Sequence, residues 1–453
     1  MKFFLIFLMI SYIKINVENV FENGKFPYNI FNLLHIKTKE SKVKKIIFFN
    51  EYNKDTFLLK ESERRLRELG IFKYVEIKSS KDSDTIYINL KDLFTSSIFT
   101  SLQGGGGRTK FTFGIEEHNL LGKMIDAGIF YIKDYERDYL NFFYFEPSFL
   151  NSIFDIYFSN NFGKNYKAID FSLKRPNFLF LKNFPYLNYQ KIKKFRYIYE
   201  DGEKVDSSRF LYEKFLTGFL KNFNNKNWNA YGIEFEGVKD IYRKFFSLNA
   251  VYLLGNERYV KKKFIRKFGE IEDIFIGWKV NIKAKTDFKK NGNEINFYTG
   301  FNFLNMLFNF SGYYQNYYYK NYNFSFLIFY PLIERITFGN LFLFSRPFEK
   351  IYVGGINGLR GYPAYYFHTE EYILNQSEIR FFGFEIFKFF APGFVIFYDF
   401  AKFKERKKIY FDFGIGLRVE FTRNYAFPIL RFDIAFKNLK SKGICSFGEG
   451  QSF

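Results

Sequence analysis

One cation in this 453-residue chain sits where it can organise others: Arg360, within Val353–Tyr362, which reads VGGINGLRGY. The four glycines from Gly354 to Gly361 leave this backbone loose, so the loop holds a shape only if its arginine is held. An exposed ion pair contributes about 0–1 kcal/mol, and one shielded from bulk water can contribute more. Two later carboxylates are placed to do the holding: Glu378 in NQSEIRFF (Asn375–Phe382) and Asp399 in FYDFA (Phe397–Ala401). Each lies at strand spacing with apolar neighbours on the opposite face, so both point to the side where an inserted loop meets them. The chemistry is electrostatic locking, with Gly361 and Tyr362 flanking the guanidinium.

Covalent chemistry finds little support. The three histidines, His35, His118 and His368, are far apart in sequence and lack metal-ligand spacing, and no G-x-S-x-G elbow is present. Glu378 and Asp433 could be paired as acid and base, but solvated charge on a water-filled face accounts for them more simply. An ordinary pore constriction is a second reading of the Arg360 loop. No catalytic, cofactor or metal residue is assigned, and the chain is read as a non-enzyme. Cys445 stands alone, which excludes a disulfide or a cysteine metal site within one chain.

The elements that carry these residues follow from composition. Aromatic residues make up 24% of the chain, with 69 Phe and 36 Tyr, yet hydrophobic residues reach only 47% and mean hydropathy is negative. A membrane barrel has this balance, because half of every strand faces lipid and the other half stays polar. Beyond the N-terminus no uncharged apolar run reaches the roughly 18–20 residues of a membrane helix. The net charge of +21, from 68 basic and 47 acidic residues, suits anionic headgroups or acidic polypeptide. Nucleic acid is excluded as a partner, because the lysines are scattered through alternating segments and gather in turns such as Lys404–Lys408.

Met1-Lys2 and the apolar run Phe3–Ile13 have the form of a secretory signal, placed at residues 1–19, although no small-x-small cleavage site follows. An uncleaved N-terminal strand is the alternative. A small mixed unit spans residues 29–92. KVKKIIFF from Lys42 reads as a strand, and DTFLLKESERRLRELG as a helix capped by Asp55 and stopped by Gly70. YVEIKSS from Tyr74 and DTIYINL from Asp84 read as strands joined by a turn at Lys81–Ser83, with Asp84–Leu90 as a possible open edge. Residues 93–107, ending in Gly104–Gly107, read as a linker.

From residue 108 to 453 the period is two. In FDFGIGLRVEF (Phe411–Phe421) the odd positions are apolar and the even ones are charged or glycine, and Leu430–Phe436 repeats the pattern. Lipid outside and water inside a closed sheet require this alternation. Comparable segments run from Phe111–Glu116 to Thr337–Phe344, with Ile295–Phe310 read as one and Phe178–Lys226 unparsed. A soluble sandwich or propeller is disfavoured, because no blade-length repeat is visible.

With Ser377-Glu378-Ile379-Arg380 and Phe397-Tyr398-Asp399, the Leu359-Arg360-Gly361-Tyr362 loop resembles the bacterial surface-antigen family, the superfamily of BamA, TamA and the two-partner-secretion transporters. Gly114–Gly122 (GIEEHNLLG) resembles its first barrel strand and turn, and the unit ending LRELGIF at Phe72 resembles a POTRA domain. The resemblance implies an all-β outer-membrane barrel of about 16 antiparallel strands with a small α+β POTRA-like periplasmic domain. It implies that Arg360, on the sixth extracellular loop, folds into the lumen to meet Asp399 and Glu378, with five strands following from near Tyr372, Pro392, Ile409, Ile429 and Ile444. Phe453 would be the terminal aromatic of the closing strand, at the membrane interface. Ala401 stands where the family usually has glycine. The implied partners are outer-membrane lipid, unfolded outer-membrane or secreted polypeptides, and periplasmic accessory proteins. The implied activity is insertion or translocation of polypeptides. The alternatives are a passive or anion-selective pore and a dedicated transporter for one secreted partner.

Overall fold

A computed structural model of the chain describes residues 12–22, 26, 28–50, 55–80, 85–105, 107–134, 136–176, 181–200, 203–224, 227–241, 243–287, 289–318, 320–347, 350–355, 358–424 and 429–453. Residues 1–11 of the expected signal and the expected turn at 81–83 lie outside them.

The N-terminal unit is a three-stranded sheet carrying helices. Strand β1 (Tyr12–Glu18) is followed by α1 (Tyr28–Leu34), α2 (Glu40–Ile46), α3 (Thr56–Glu68), β2 (Phe72–Ser79) and β3 (Thr85–Asp92). The sheet order is β1-β3-β2, with β1 parallel and β2 antiparallel to β3. Asp55 caps α3 by accepting the Phe57 N–H at 2.9 Å, and Gly70 ends the helical segment at φ +76°, a backbone state that glycine adopts without steric cost. Ile15, Val17, Leu66, Val75, Ile86 and Ile88 form one buried core.

Three expectations are corrected here. KVKKIIFF is mostly the helix α2, because Val43 and Ile46, three residues apart, share a buried helix face. The strand from Asp84 is the middle of its sheet, so the open edges are β1 and β2. The sheet of the small domain includes Tyr12–Glu18, ahead of residue 29, since β1 pairs with β3 and lies within the stretch assigned to a signal.

All but two of the remaining strands close into one antiparallel barrel of 20 strands. The first are β4 (Ser96–Gly105), β5 (Arg108–Glu117), β6 (Asp126–Lys133), β7 (Asp138–Glu146), β8 (Asp155–Phe162), β9 (Tyr166–Lys174), β10 (Asn183–Glu200) and β11 (Glu203–Asn222). Then come β12 (Trp228–Asp240), β13 (Lys244–Lys262), β14 (Glu272–Thr286), β15 (Asn291–Phe303), β16 (Met306–Asn316), β17 (Lys320–Ile333) and β18 (Ile336–Arg346). A short hairpin, β19 (Ile351–Val353) and β20 (Phe367–Thr369), interrupts the series. It resumes with β21 (Tyr372–Phe382), β22 (Phe390–Phe403), β23 (Ile409–Phe421), β24 (Leu430–Phe436) and β25 (Ile444–Glu449).

The expected strand count of about 16 falls short in three places. The linker contains β4, which alternates buried Ser101 with outward Ile98 and Leu102. Ile295–Phe310 contains two strands, β15 and β16, joined by a tight turn in which Leu304 and Asn305 have positive φ. The unparsed middle contains β10 and β11, which at 18 and 20 residues exceed the about 9–11 residues that cross a bilayer. Residues 203–209 of β11 are all exposed, so that end of the strand shows no alternation. The five strands after the arginine loop are where they were expected, but the loop follows the fifteenth barrel strand. It is therefore the eighth connection at its end of the barrel and not the sixth, and GIEEHNLLG lies on the second strand and its turn.

Candidate functional site

Between β18 and β21, the described residues 350–355 and 358–371 reach into the lumen from the mouth opposite the N-terminal domain. Gly355 (φ +65°) and Gly358 (φ +140°) take backbone states that side chains disfavour. Leu359, Tyr362 and Phe367 then pack on Leu374, Ala401 and Phe403 of the wall. Ala401, in the place where a glycine was expected, is fully buried against this cluster.

Arg360 is fully buried. Its Nε and Nη2 donate to Asp399 Oδ2 and Oδ1 at 2.7 and 2.8 Å, a two-pronged pair. Nη1 donates to Glu378 Oε1 at 2.8 Å and to Asp433 Oδ2 at 3.4 Å. The guanidinium carbon also lies 3.5 Å from the centre of the Phe397 ring, so the cation is bonded at its edge and stacked on one face. Gly361 N donates to Asp412 Oδ2 at 3.0 Å. A Cβ on Gly361 would sit 2.6 Å from Asp412 Cβ, so only glycine fits. Tyr362 donates weakly to the Phe411 carbonyl at 3.4 Å and packs on Phe367 and Tyr410.

The structure thus brings Arg360, Gly361, Tyr362, Glu378 and Asp399 together. It adds residues to which the sequence reading gave no part in the loop: Asp412 on β23, Asp433 on β24, and the arginines Arg380 and Arg418. Glu378, Asp399, Asp412 and Asp433 come from four successive strands and are all buried. Asp399 and Asp412 are direct register partners, an arrangement that repels unless something cationic intervenes. Arg380 Nε donates to Glu378 Oε2 at 2.9 Å, and Arg418 Nη1 to Asp433 Oδ1 at 2.6 Å. The only signal for Asp412, Asp433 and Arg418 was their place on the inward face of the alternation.

Phe453 is elsewhere than expected. After β25 the tail turns inward at Gly450 (φ +75°), and Phe453 packs on Phe329 with ring centres 6.3 Å apart. Arg380 covers the Phe453 ring at 4.5 Å and donates to its carbonyl at 2.9 Å. Glycine at 450 permits the turn, and the lumen supplies both an apolar wall and a cation. No lipid-interface position remains for this residue.

The N-terminal domain docks on the near mouth through ion pairs. Arg65 meets Asp155 at 2.6 Å, Arg67 meets Asp273 at 2.7 Å, and Lys42 meets Glu146 at 3.2 Å. Lys73 donates to the Thr422 carbonyl at 2.9 Å, and burial there lowers its pKa. In the turn after β5, burial acts to lower the pKa of His118, but Asp126 and Glu116, at 3.5 and 3.2 Å, outweigh it and raise the pKa to about 9. From the same mouth the β13–β14 turn folds inward and buries Phe264, Ile265 and Phe268.

No protein-family model and no curated protein matches the sequence. Among solved structures the chain is similar to BamA and CdiB barrels. CdiB from Escherichia coli matches at 10% identity and a TM-score of 0.48, over 97% of this chain and 76% of that one. BamA from Haemophilus ducreyi lacking POTRA domains 1-3 matches at 13% identity and a TM-score of 0.40, over 97% and 84%. CdiB from Acinetobacter baumannii matches at 12% identity and a TM-score of 0.39, over 97% and 73%.

Proposed function

We propose that this chain is an outer-membrane barrel that inserts or translocates polypeptides, receiving them at its N-terminal domain on the periplasmic side, which we read as a POTRA domain. The observation that carries the reading is the seam. Among the described residues, Phe447 with Gly104 is the one register pair between β25 and β4, whereas β4 pairs with β5 along its whole length. A Cβ on Gly104 would lie 2.8 Å from the Phe447 ring, so the single crossing point itself depends on glycine. Strand edges left this open can template an incoming strand. The edges of β1 and β2 offer the same to a substrate arriving from below, with or without accessory proteins. The reading assigns no covalent chemistry.

In this reading the N-terminal stretch of about residues 1–19 is a secretory signal. Removal through residue 19 would take β1 from its sheet and bare Ile86 and Ile88. The mass of the mature N-terminus checks this.

A passive or anion-selective pore is less well supported. Lys283 and Lys285 on the lumen wall are paired to Glu234, Glu236 and Glu294 at 2.7–3.7 Å, so this part of the wall is not a bare basic lining.

The test is depletion followed by proteomics of outer-membrane and secreted fractions, with rescue by a Gly104→Cys/Phe447→Cys pair in a Cys445→Ser background. Loss of many barrels identifies a general insertase, and loss of one or a few species a dedicated transporter. An unchanged profile favours the pore. Oxidising the cysteine pair should abolish rescue, and reduction should restore it. Full rescue by the oxidised pair would show that the seam is not the route.

A further inference from the structure

Among the described residues, none covers the apolar side of the segment from Phe26 to Lys39. α1 buries none of its residues, and Phe26, Leu33 and Leu34 are 80%, 82% and 64% exposed, with Ile30 and Ile36 also exposed. A soluble surface rarely leaves so many large apolar side chains together.

The segment's two ends locate it. Tyr28 donates to the Phe387 carbonyl at 3.0 Å, and Phe31 packs on Phe389 at 5.6 Å, both in the β21–β22 turn. At the other end Asn119 Nδ2 donates to the Ile36 carbonyl at 3.0 Å, and Lys39 N to the Gly122 carbonyl at 2.9 Å, both in the β5–β6 turn. In the barrel's strand order the β25–β4 seam lies between these two turns, so the segment straps the near mouth across the seam.

The strap is continuous with the barrel's outward surface. Its anchoring turns expose Phe384 and Phe387 on one side and Leu121 on the other. Its polar companions are cations: Lys37, Lys39, Lys44 and Lys45 are exposed, with Glu40 the only acid from residue 26 to 46. Apolar side chains at a bilayer boundary, flanked by lysines whose stems reach toward headgroups, are the physical form of an interfacial anchor on anionic lipid.

We propose that residues 26–39 lie in the headgroup–acyl boundary of the near leaflet, on anionic lipid, directly beneath the seam. The inference rests on the barrel being embedded in a bilayer. It adds a second contact between protein and membrane, placed where the barrel wall is weakest, and ties the N-terminal domain to the lipid beside that opening.

The experiment uses the full chain in a Cys445→Ser background, reconstituted in phosphatidylethanolamine–phosphatidylglycerol vesicles and spin-labelled at Leu33→Cys. Collision of the label with oxygen and with a water-soluble nickel chelate reports its depth. Ile415→Cys on the outward face of β23 is the lipid reference, and Lys60→Cys on α3 the aqueous one. The oxygen-to-nickel ratio at residue 33 should lie several-fold above that at residue 60, and should fall when phosphatidylcholine replaces phosphatidylglycerol. A ratio matching residue 60 overturns the proposal, and a ratio indifferent to lipid charge overturns its anionic component. Shielding from both reagents would mean that protein covers the strap, a second copy or a substrate, and would also overturn it. If residue 415 itself reads as aqueous, the membrane reading fails before the strap does.

Discussion

Arg360 and Arg380 grip opposite oxygens of one buried carboxylate. Glu378 Oε1 accepts from Arg360 at 2.8 Å and Oε2 from Arg380 at 2.9 Å. Arg360 belongs to the loop that enters from the far mouth, and Arg380 holds the C-terminal Phe453 that turns in from the near mouth. The two inserted segments therefore share a single anion at mid-barrel. Loss of the loop would take one cation from Glu378, and loss of the tail would uncover Arg380, the other.

Removing the loop arginine leaves Asp399 buried without its two-pronged partner and Glu378 with one cation fewer. Arg360→Ala should cost about 3–5 kcal/mol, read as a lower urea midpoint for loss of the heat-modifiable band on a gel. Arg360→Glu should be at least as harmful, with partial recovery when Asp399→Arg is added; no recovery would sink the proposed pairing. Arg360→Lys keeps the charge but loses the two-pronged pair and the stacking on Phe397, and should fall between wild type and alanine.

Gly361→Ala tests the close approach to Asp412 without touching any charge. Forcing a methyl into a 2.6 Å gap should cost about 1–3 kcal/mol. It should also leave the loop open to protease added at the far mouth while the barrel stays intact. Equal protease resistance in wild type and variant would show that the loop does not need this contact.

The shared carboxylate predicts coupling between residues 360 and 453. Phe453→Ala alone should cost about 1–2 kcal/mol through the lost ring contacts with Arg380 and Phe329. Combined with Arg360→Ala it should depart from additivity by about 0.5–3 kcal/mol. Strict additivity in a double-mutant cycle would mean that tail and loop are independent.

His118 gives the near mouth a pH dependence. Its pKa is raised in the folded chain, from 6.5 to about 9, so the stabilisation it provides is complete below 6.5 and is lost as pH rises through about 9. The difference in denaturation midpoint between wild type and His118→Gln should be largest below pH 6.5 and should vanish well above pH 9. A difference that stays constant with pH would show that the ring contributes only packing.

The sequence by itself determined which way residues face in the regularly alternating strands. A period of two separates inward from outward positions wherever one side meets lipid, so β22 to β25 and the inward Glu378, Asp399, Asp412 and Asp433 were all readable. The Asp55 cap and the Gly70 stop of α3 were readable for the same reason, since both are made within a few residues. Only the tertiary structure decided how many strands close the ring, because closure is a matter of register between residues far apart in the chain. It also decided that β3 is central, that Phe453 turns inward, and that four carboxylates from successive strands converge on one arginine. The β10–β11 hairpin stayed hidden because residues 203–209 of β11 are exposed on both faces, and alternation is imposed only where the two faces of a strand meet different surroundings.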